Sequence, residues 1–550
     1  MREIDRLTTE RYATPSLLLM ERAANSVAGT IAARFAHDLS GKTALILCGR
    51  GNNGGDGAAL ARALWTMGAH EAHIVLFSRI EETKGDARTN FEIVRCLAGF
   101  EAGSNERPSP LSFVECGTIE AWEEVAASRR SYDIIVDALF GTGLTRPLEG
   151  LYPKIINHLA LIREARSTAH KTCPLIVSID VPSGLNADSA QLIGEAVRAD
   201  LTVTFTAPKP ANVLPPAAHM NGQLVVAQIG SPPALIDAAR SQLFLTEDRD
   251  VRAWLEATRY TPDSYKNTHG HALIIAGSRN LTGAAVLCSE SAMCSGAGLV
   301  TVATAESAVQ AVTTRVMPEV MTAALPETER GAIRGAAIEP ALKLAERATI
   351  LAIGPGLTSD DEETRKFVRS MIERRTTPVV LDADGLNALA PWPSDLRGSP
   401  ELPLILTPHV GEMRRLLGAE DNDQALSDRV QATREFATAH QLILVLKGTR
   451  TLIAAPDGRV FINPTGNAGL GTGGSGDTLT GLITGLGAQA YGTLKAEADA
   501  FTTTIAALYI GGLAGDIAAR ERGMRTMVAS DIREHLSAAV CALDAAGERP

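Results

Sequence analysis

Aromatic residues are scarce. Four Trp, seven Tyr and 12 Phe make up 4% of the 550-residue chain, so extended base-stacking platforms are excluded. Positive charge is not in excess either. The 52 Lys and Arg are outnumbered by 63 Asp and Glu, for a formal net charge of −11, which argues against nucleic acid or an anionic membrane as a general partner. Cysteine is sparse, with seven residues scattered along the chain and no C-x-x-C. A zinc site and a disulfide framework are therefore not expected, and the thiols read as free and buried in a reducing cytoplasm. Long apolar runs are missing. Uncharged stretches such as Thr478–Leu494 are interrupted by Gly, Thr and Gln, and no membrane span is expected. The opening MREIDRLTTERY carries acids and no apolar core segment, unlike a secretory signal, so a cytoplasmic location is expected.

What is present is ordinary globular material, 45% hydrophobic and 21% charged, which rules out widespread disorder. Its length suits two large α/β domains. In the first half, strand-like runs at Thr43–Cys48, His73–Phe77, Ile134–Val136, Leu175–Ile179, Leu201–Phe205 and Leu224–Ile229 alternate with helical patterns such as Ala58–Met67. A charged, helical-looking segment, Ala234–Arg259, marks the junction. Further runs follow at Ala272–Ala276, Leu299–Ala303, Ile350–Ile353, Val379–Leu381, Leu404–Leu406, Leu442–Leu446 and Thr451–Ala454. Alternation of this kind predicts parallel βαβ units, which bind ligands beyond the carboxyl ends of their strands. The expected domains are residues 1–235 and 245–550.

Several strand ends carry chemistry. Thr43–Cys48 leads into Gly49-Arg50-Gly51-Asn52-Asn53-Gly54-Gly55-Asp56-Gly57. Glycines there let backbone N–H groups approach an anion, but the spacing is neither G-x-G-x-x-G nor a Walker loop. The Asn and Asp oxygens suit a hard cation or a polar ligand. Ile134–Val136 leads to Asp137 and Gly141-Thr142-Gly143, and Leu175–Ile179 to Asp180 and Ser183-Gly184. Parallel topology would gather all three loops on one edge.

Together GNNGGDG, VDALFGTGL, IDVPSGLNAD and LTVTFTAPKP resemble the NAD(P)H-hydrate epimerase domain, over about the first 230 residues. The resemblance implies a Rossmann-like three-layer αβα fold and exchange of the R and S hydrates at C6 of the reduced nicotinamide. It places Asn52, Asn53, Gly54, Gly55 and Asp56, then Gly141, Thr142, Gly143, Leu144, Thr145, Arg146 and Pro147, with Tyr152 and Asp180, on the substrate. It assigns K+ to Asn53, Asp137 and Ser183, whose oxygen-only donors agree with an alkali ion. Asp180 is the expected acid/base, with Asp56 second. Thr206 departs from the family pattern, which usually has Gly there.

The second half contains Asn467-Ala468-Gly469-Leu470-Gly471-Thr472-Gly473-Gly474-Ser475-Gly476-Asp477 ahead of a helical stretch. Gly473–Gly476 offers amides to a phosphate at a helix start, with Asp477 beside them. This G-x-G-D loop resembles the ribokinase-like superfamily, also an αβα fold. LIIAGS at Leu273–Ser278, GPGL at Gly354–Leu357, LDADGLN at Leu381–Asn387, TPHVGE at Thr407–Glu412 and KGT at Lys447–Thr449 narrow it to the ADP- or ATP-dependent NAD(P)H-hydrate dehydratases. The resemblance implies contacts to the S hydrate from Ala284, Gly356, His409 and Asp477. It gives the adenine nucleotide, with Mg2+, to Lys447, Gly448, Thr449, Arg450, Thr451 and Gly476. Lys266-Asn267 stands where the family usually has Lys-Gly, and the roles of Lys266, Asp382 and Asp384 stay open. ADP is the favoured donor. The expected partners are the NADH and NADPH hydrates and ADP or ATP, in a homo-oligomer. The rival reading is a small-alcohol kinase in the second half behind a non-catalytic binding module.

Overall fold

The computed structural model describes residues 1–99, 109–128, 131–165 and 173–545. The chain divides into two compact units, Met1–Arg240 and Ser241–Pro550.

The first unit is built on seven strands: β1 (Thr43–Cys48), β2 (Glu71–Leu76), β3 (Leu111–Glu115), β4 (Ile134–Ala138), β5 (Leu175–Ile179), β6 (Leu201–Phe205) and β7 (Gln223–Ala227). They lie in the order β3-β2-β1-β4-β5-β6-β7, and every neighbouring pair is parallel. The chain leaves β1 in one direction and returns across it to β4, so a crevice opens at the carboxyl ends of β1 and β4. Side-chain alternation splits the core in two. Ile46, Ile74 and Val136 join one cluster with Val27, Leu60 and Phe91 from helices. Leu45, Leu47, Val75 and Ile135 join another with Trp122, Ile155 and Leu159. A sheet buried on both faces by helices is the expected three-layer α/β arrangement.

The second unit holds β8 (Leu243–Leu245), β9 (His271–Ile275), β10 (Leu299–Ala305), β11 (Val320–Leu325), β12 (Ile350–Ile353), β13 (Val379–Leu381), β14 (Leu404–Leu406), β15 (Ile443–Leu446), β16 (Leu452–Ala454) and β17 (Val460–Ile462). Their order is β11-β10-β9-β12-β13-β14-β15-β16-β17-β8. The run from β11 to β15 is parallel, and β16 is antiparallel to both its neighbours. The same reversal occurs here, between β9 and β12. Helices Thr282–Cys294, Ser475–Thr493 and Ala500–Arg522 bury Val286, Ile483 and Ile505 in one core with Ile274 and Ile350.

Four strands, β3, β8, β11 and β17, were not expected from sequence. β3, β8 and β11 are edge strands, exposed at Val114, Phe244 and Met321, and β8 and β17 are only three residues long. β8 divides the Ala234–Arg259 segment, which holds helices Pro233–Asp237 and Asp248–Ala257. Helix Ala500–Arg522 is the one apolar stretch long enough to be weighed as a span among the described residues. Its length and mean hydropathy of 1.3 equal those of a membrane span, but 72% of that stretch is buried, and it packs against Ser475–Thr493 and Leu536–Ala545. Of the cysteines, Cys48, Cys116 and Cys288 are buried, while Cys96, Cys294 and Cys541 are exposed, so the expectation of buried thiols holds only in part.

Candidate active sites

In the first unit a cleft of about 860 Å³ opens at the β1/β4 crevice. Its glycines are required by contact. Gly49 lies so close to Leu139 that a Cβ would stand 1.9 Å from the Leu139 carbonyl oxygen, and one on Gly54 would stand 1.8 Å from the Gly49 oxygen. The polar stretch after β1 is not a loop. Helix Asn52–Thr66 begins at once, with Gly51 as its N-cap residue. Its first-turn amides have no partner inside the helix and face the cleft mouth.

Most of the expected substrate residues line this cleft: Asn52, Asn53, Asp56, Gly141, Thr142, Gly143, Leu144, Arg146, Pro147, Tyr152 and Asp180. Gly54 and Gly55 instead let the helix pack, Gly55 against Ala87 and Met20. Thr145 is not among the lining residues. Two aromatic residues that sequence reasoning missed join Tyr152. Phe140 meets it edge-on with ring centroids 4.6 Å apart, and Phe77 lies at 6.4 Å.

The acids differ sharply in surroundings. Asp180 ends β5 with φ of +66°, a left-handed conformation that Asp tolerates better than most residues. Its Oδ1 accepts from Lys209 Nζ and from Thr204 Oγ1 at 2.9 Å. Lys209 is only 5% exposed and donates also to Thr204 Oγ1 at 2.8 Å and the Phe205 carbonyl at 3.1 Å. Sequence reasoning quoted Lys209 within a motif but gave it no role, because a single Lys in a Pro-rich segment does not announce that it is buried. Asp56 has no such partner. Burial first, then the negative charges of Asp180 and Asp5, push its carboxyl well above the ordinary range. The crevice thus sets an ion-paired carboxylate beside one whose charged form is disfavoured.

Asp137, Ser183 and Asn53 lie below this pair. Asp137 is fully buried and accepts from Ser178 Oγ (2.8 Å), Ser183 N (2.8 Å), Ser183 Oγ (2.5 Å) and Leu139 N (3.3 Å). Burial raises its pKa while these hydrogen bonds oppose the rise. Ser183 Oγ also lies 3.2 Å from the Phe140 carbonyl oxygen. Asn53 is buried, and its Nδ2 has no hydrogen-bond partner among the described residues. Turned over, the Asn53 amide would present its oxygen instead, and with Asp137 and Ser183 it would offer an oxygen-only donor set, which suits an alkali cation.

In the second unit, Asp477 is the third residue of helix Ser475–Thr493, after Gly474 in the left-handed region at φ of +88°. A Cβ on Gly474 would strike Leu287 at 2.5 Å. Around Asp477 stands a polar cluster in which sequence reasoning had given a role to Lys447 alone. Lys447 Nζ donates to Asp382 Oδ1 at 2.7 Å and lies 3.9 Å from Glu412. Thr480 Oγ1 donates to the other Asp382 oxygen at 2.7 Å. Burial disfavours the charged form of Lys447, but Asp382 and Glu412 outweigh it and its pKa rises. Asp477 is pushed up to about 6, by burial first and Asp382 second, with Lys447 opposing. Asp384 holds the Gly354–Leu357 turn, accepting from Thr358 N at 2.9 Å and Ser359 Oγ at 3.2 Å.

The expected ligand residues gather at the same strand ends. Gly356 packs against Ala284 and Leu281, a Cβ standing 3.1 Å from either side chain. His409 caps helix Val410–Leu416, its Nδ1 accepting from Gly411 N at 2.9 Å and Glu412 N at 3.2 Å. Those donors make Nδ1 the accepting nitrogen, and Nε2 lies 3.5 Å from Glu412 Oε1. His409 and Lys447 bridge neighbouring strand ends. Gly476 offers the closest approach to Lys447, a Cβ there standing 3.4 Å from Nζ. Gly448 leaves room for Arg429, Thr451 Oγ1 donates to the Gly448 carbonyl at 3.1 Å, and Arg429 reaches the Thr449 carbonyl at 3.4 Å. Arg450 turns to the Pro464 carbonyl. Lys266 precedes β9 at its amino end, its carbonyl packed on Gly298, away from the strand ends that carry Asp477. Among the described residues no group of three or more His, Cys, Asp or Glu converges as a metal cage.

Residues 272–538 match the NAD(P)H-hydrate dehydratase family, and residues 16–211 match the family described as YjeF-related protein N-terminus. The bifunctional NAD(P)H-hydrate repair enzyme Nnr of Moorella thermoacetica is 40% identical, covering 98% of this chain and 94% of that protein. The like-named protein of Thermofilum pendens is 37% identical (98% and 95% covered), and that of Escherichia coli is 31% identical (89% and 83% covered). Among solved structures, an ADP/ATP-dependent NAD(P)H-hydrate dehydratase from Bacillus subtilis, co-crystallised with ATP/Mg2+, is 32% identical. It aligns with 56% of this chain and all of its own, at a TM-score of 0.47. By identity sustained over nearly its whole length, the chain belongs to the family of bifunctional NAD(P)H-hydrate repair enzymes.

Proposed function

We propose that the chain repairs hydrated NADH and NADPH: residues 1–235 exchange the two hydrate epimers at C6, and residues 245–550, with a ribokinase-like fold, dehydrate the S hydrate at the expense of ADP. The contrast between Asp56 and Asp180 carries the first half of this reading. C6 of the hydrate bears a hydroxyl and is bonded to the ring nitrogen. Asp56 donates its proton to that hydroxyl, the C6–O bond breaks, and the nitrogen lone pair forms a C=N+ bond as water leaves. Water then adds to the opposite face of C6 and gives its proton to Asp180, which Lys209 holds in place. Phe77, Phe140 and Tyr152 supply the apolar wall for the ring. K+ held by Asn53, Asp137 and Ser183 would compensate the buried Asp137 charge and fix the loops after β4 and β5.

In the second half Asp477 takes the proton of the C6 hydroxyl as the terminal phosphoryl group of ADP passes to that oxygen. AMP is released. Loss of phosphate from C6 with a proton from C5 then restores the dihydropyridine. The amides of Gly473–Gly476 and the Lys447 ammonium face the charge on the transferred group. Mg2+ would arrive on the nucleotide phosphates, consistent with the absence of a protein cage among the described residues.

Separated activities test this reading. Asp180→Ala is expected to lose epimer exchange and keep nucleotide-dependent dehydration of pure S hydrate, and Asp477→Ala the reverse. Either variant losing neither activity defeats the assignment. A stable phosphorylated product, with no dinucleotide recovered, would show a kinase instead.

A further inference from the structure

Helix Arg2–Tyr12 forms part of the epimerase cleft, which nothing in its sequence announced. Arg2 and Asp5 both line the cleft. Arg2 Nη2 donates to the Thr142 carbonyl at 2.9 Å, tying the helix to a loop on the opposite wall. Ile4 and Thr8 are buried beneath it. Asp5 is therefore held in position, yet it does no structural work through its side chain. It caps nothing, and its Oδ1 is sealed from solvent without a hydrogen-bond partner among the described residues. The neighbouring cation, Lys209, is already taken by Asp180. Burial raises the Asp5 pKa; the amino-terminal ammonium and Lys209 oppose the rise, and the Asp180 charge adds a smaller push upward.

Such a carboxyl needs a partner with both a donor and an acceptor, because a buried polar group left unpaired is costly. The proposed chemistry at C6 uses Asp56 and Asp180 and leaves Asp5 without a task. A phosphate would be repelled by the acids around it. The planar primary carboxamide on the reduced nicotinamide presents one N–H donor and one oxygen acceptor side by side, which a neutral carboxyl matches with two hydrogen bonds. We propose that Asp5 is a substrate-contacting residue of the epimerase cleft, paired with the carboxamide of the hydrated nicotinamide and so setting the orientation of the ring. The proposal rests on the epimerase reading and names the group by which that site would recognise its substrate.

The test compares epimer exchange on NADH hydrate with exchange on the hydrate of the 3-acetylpyridine analogue, in which a methyl replaces the amide nitrogen. Asp5→Ala is expected to raise KM for NADH hydrate about tenfold, the worth of one or two neutral hydrogen bonds, with kcat within about twofold. Asp5→Asn, which keeps a donor and an acceptor in the same shape, is expected to retain the wild-type KM. On the acetyl analogue the alanine penalty should shrink to about twofold or less, because the wild type has already lost the amide donor. Dehydration by the same variant chains controls for folding, and Asp5→Ser carries the same expectation should the alanine variant fail to fold. An unchanged KM in the alanine and serine variants, or an equal penalty on both substrates, overturns the assignment. A wild type that exchanges neither hydrate overturns the epimerase reading itself.

Discussion

Asp477 shows how a residue's chemistry follows from its neighbours. The sequence places an Asp after crowded glycines, and that much was legible. What it does not reveal is the Lys447–Asp382–Glu412 cluster, because its members lie 30 residues or more apart in the chain and meet only where β13, β14 and β15 end side by side. Burial first and Asp382 second raise the Asp477 carboxyl, with Lys447 opposing, and the outcome is measurable. A carboxylate raised from 3.8 to about 6 must lose its proton to act as a base. Dehydration should therefore be at full rate above about pH 7 and fall as pH drops through 6. A profile of kcat against pH at saturating nucleotide checks this, and a rate sustained to about pH 4, as an unperturbed Asp would give, contradicts it. Thr206 was legible as a departure from the family pattern, and its reason is now physical: it adopts φ of +66°, a region where Gly is unstrained and a β-branched residue is an outlier.

At the scale of elements, the strands with continuous apolar runs were legible to within a residue or two, as at β1, β5, β6, β12, β13 and β14. The start of helix Asn52–Thr66 was not. Asn and Gly are poor helix formers, so the stretch reads as a loop. Packing overrides propensity there, because Gly54 brings the helix onto the Gly49 carbonyl. Gly54→Ala should destabilise the first unit by roughly 1–3 kcal/mol through overpacking and reduce epimer exchange, as measured by denaturant unfolding and exchange rate. Stability equal to the wild type would show that the approach is not tight. The loops after β4 and β5 carry a second expectation. K+ should raise the melting temperature of the first unit and Na+ less so, and Asp137→Asn should abolish the difference. Equal melting in both salts removes the ion from the account. Helix Arg2–Tyr12 was read from sequence only as an acidic opening without an apolar core segment, and neither the helix nor the place of Asp5 in a cleft was legible.

Across the whole molecule, two α/β units each place their chemistry beyond the ends of parallel strands, at the β1/β4 reversal in the first and after β13, β14 and β15 in the second. The α/β class and the parallel sheets followed from alternating runs and Gly-rich strand ends. The short strands β8 and β17 did not, lying among charged and polar residues at the far end of the sheet. Fusing the two activities in one chain makes sense of the chemistry. A dehydratase that accepts one epimer strands the other, and an epimerase alone recovers no cofactor. The most direct measurement follows absorbance recovery when the intact chain receives mixed R and S hydrates with ADP, Mg2+ and K+. The account predicts recovery of the whole mixture by the wild type, arrest at the S fraction with Asp180→Ala, and no recovery but continued epimer exchange with Asp477→Ala. Complete recovery by the Asp180 variant at the wild-type rate, or recovery without any nucleotide, would contradict it.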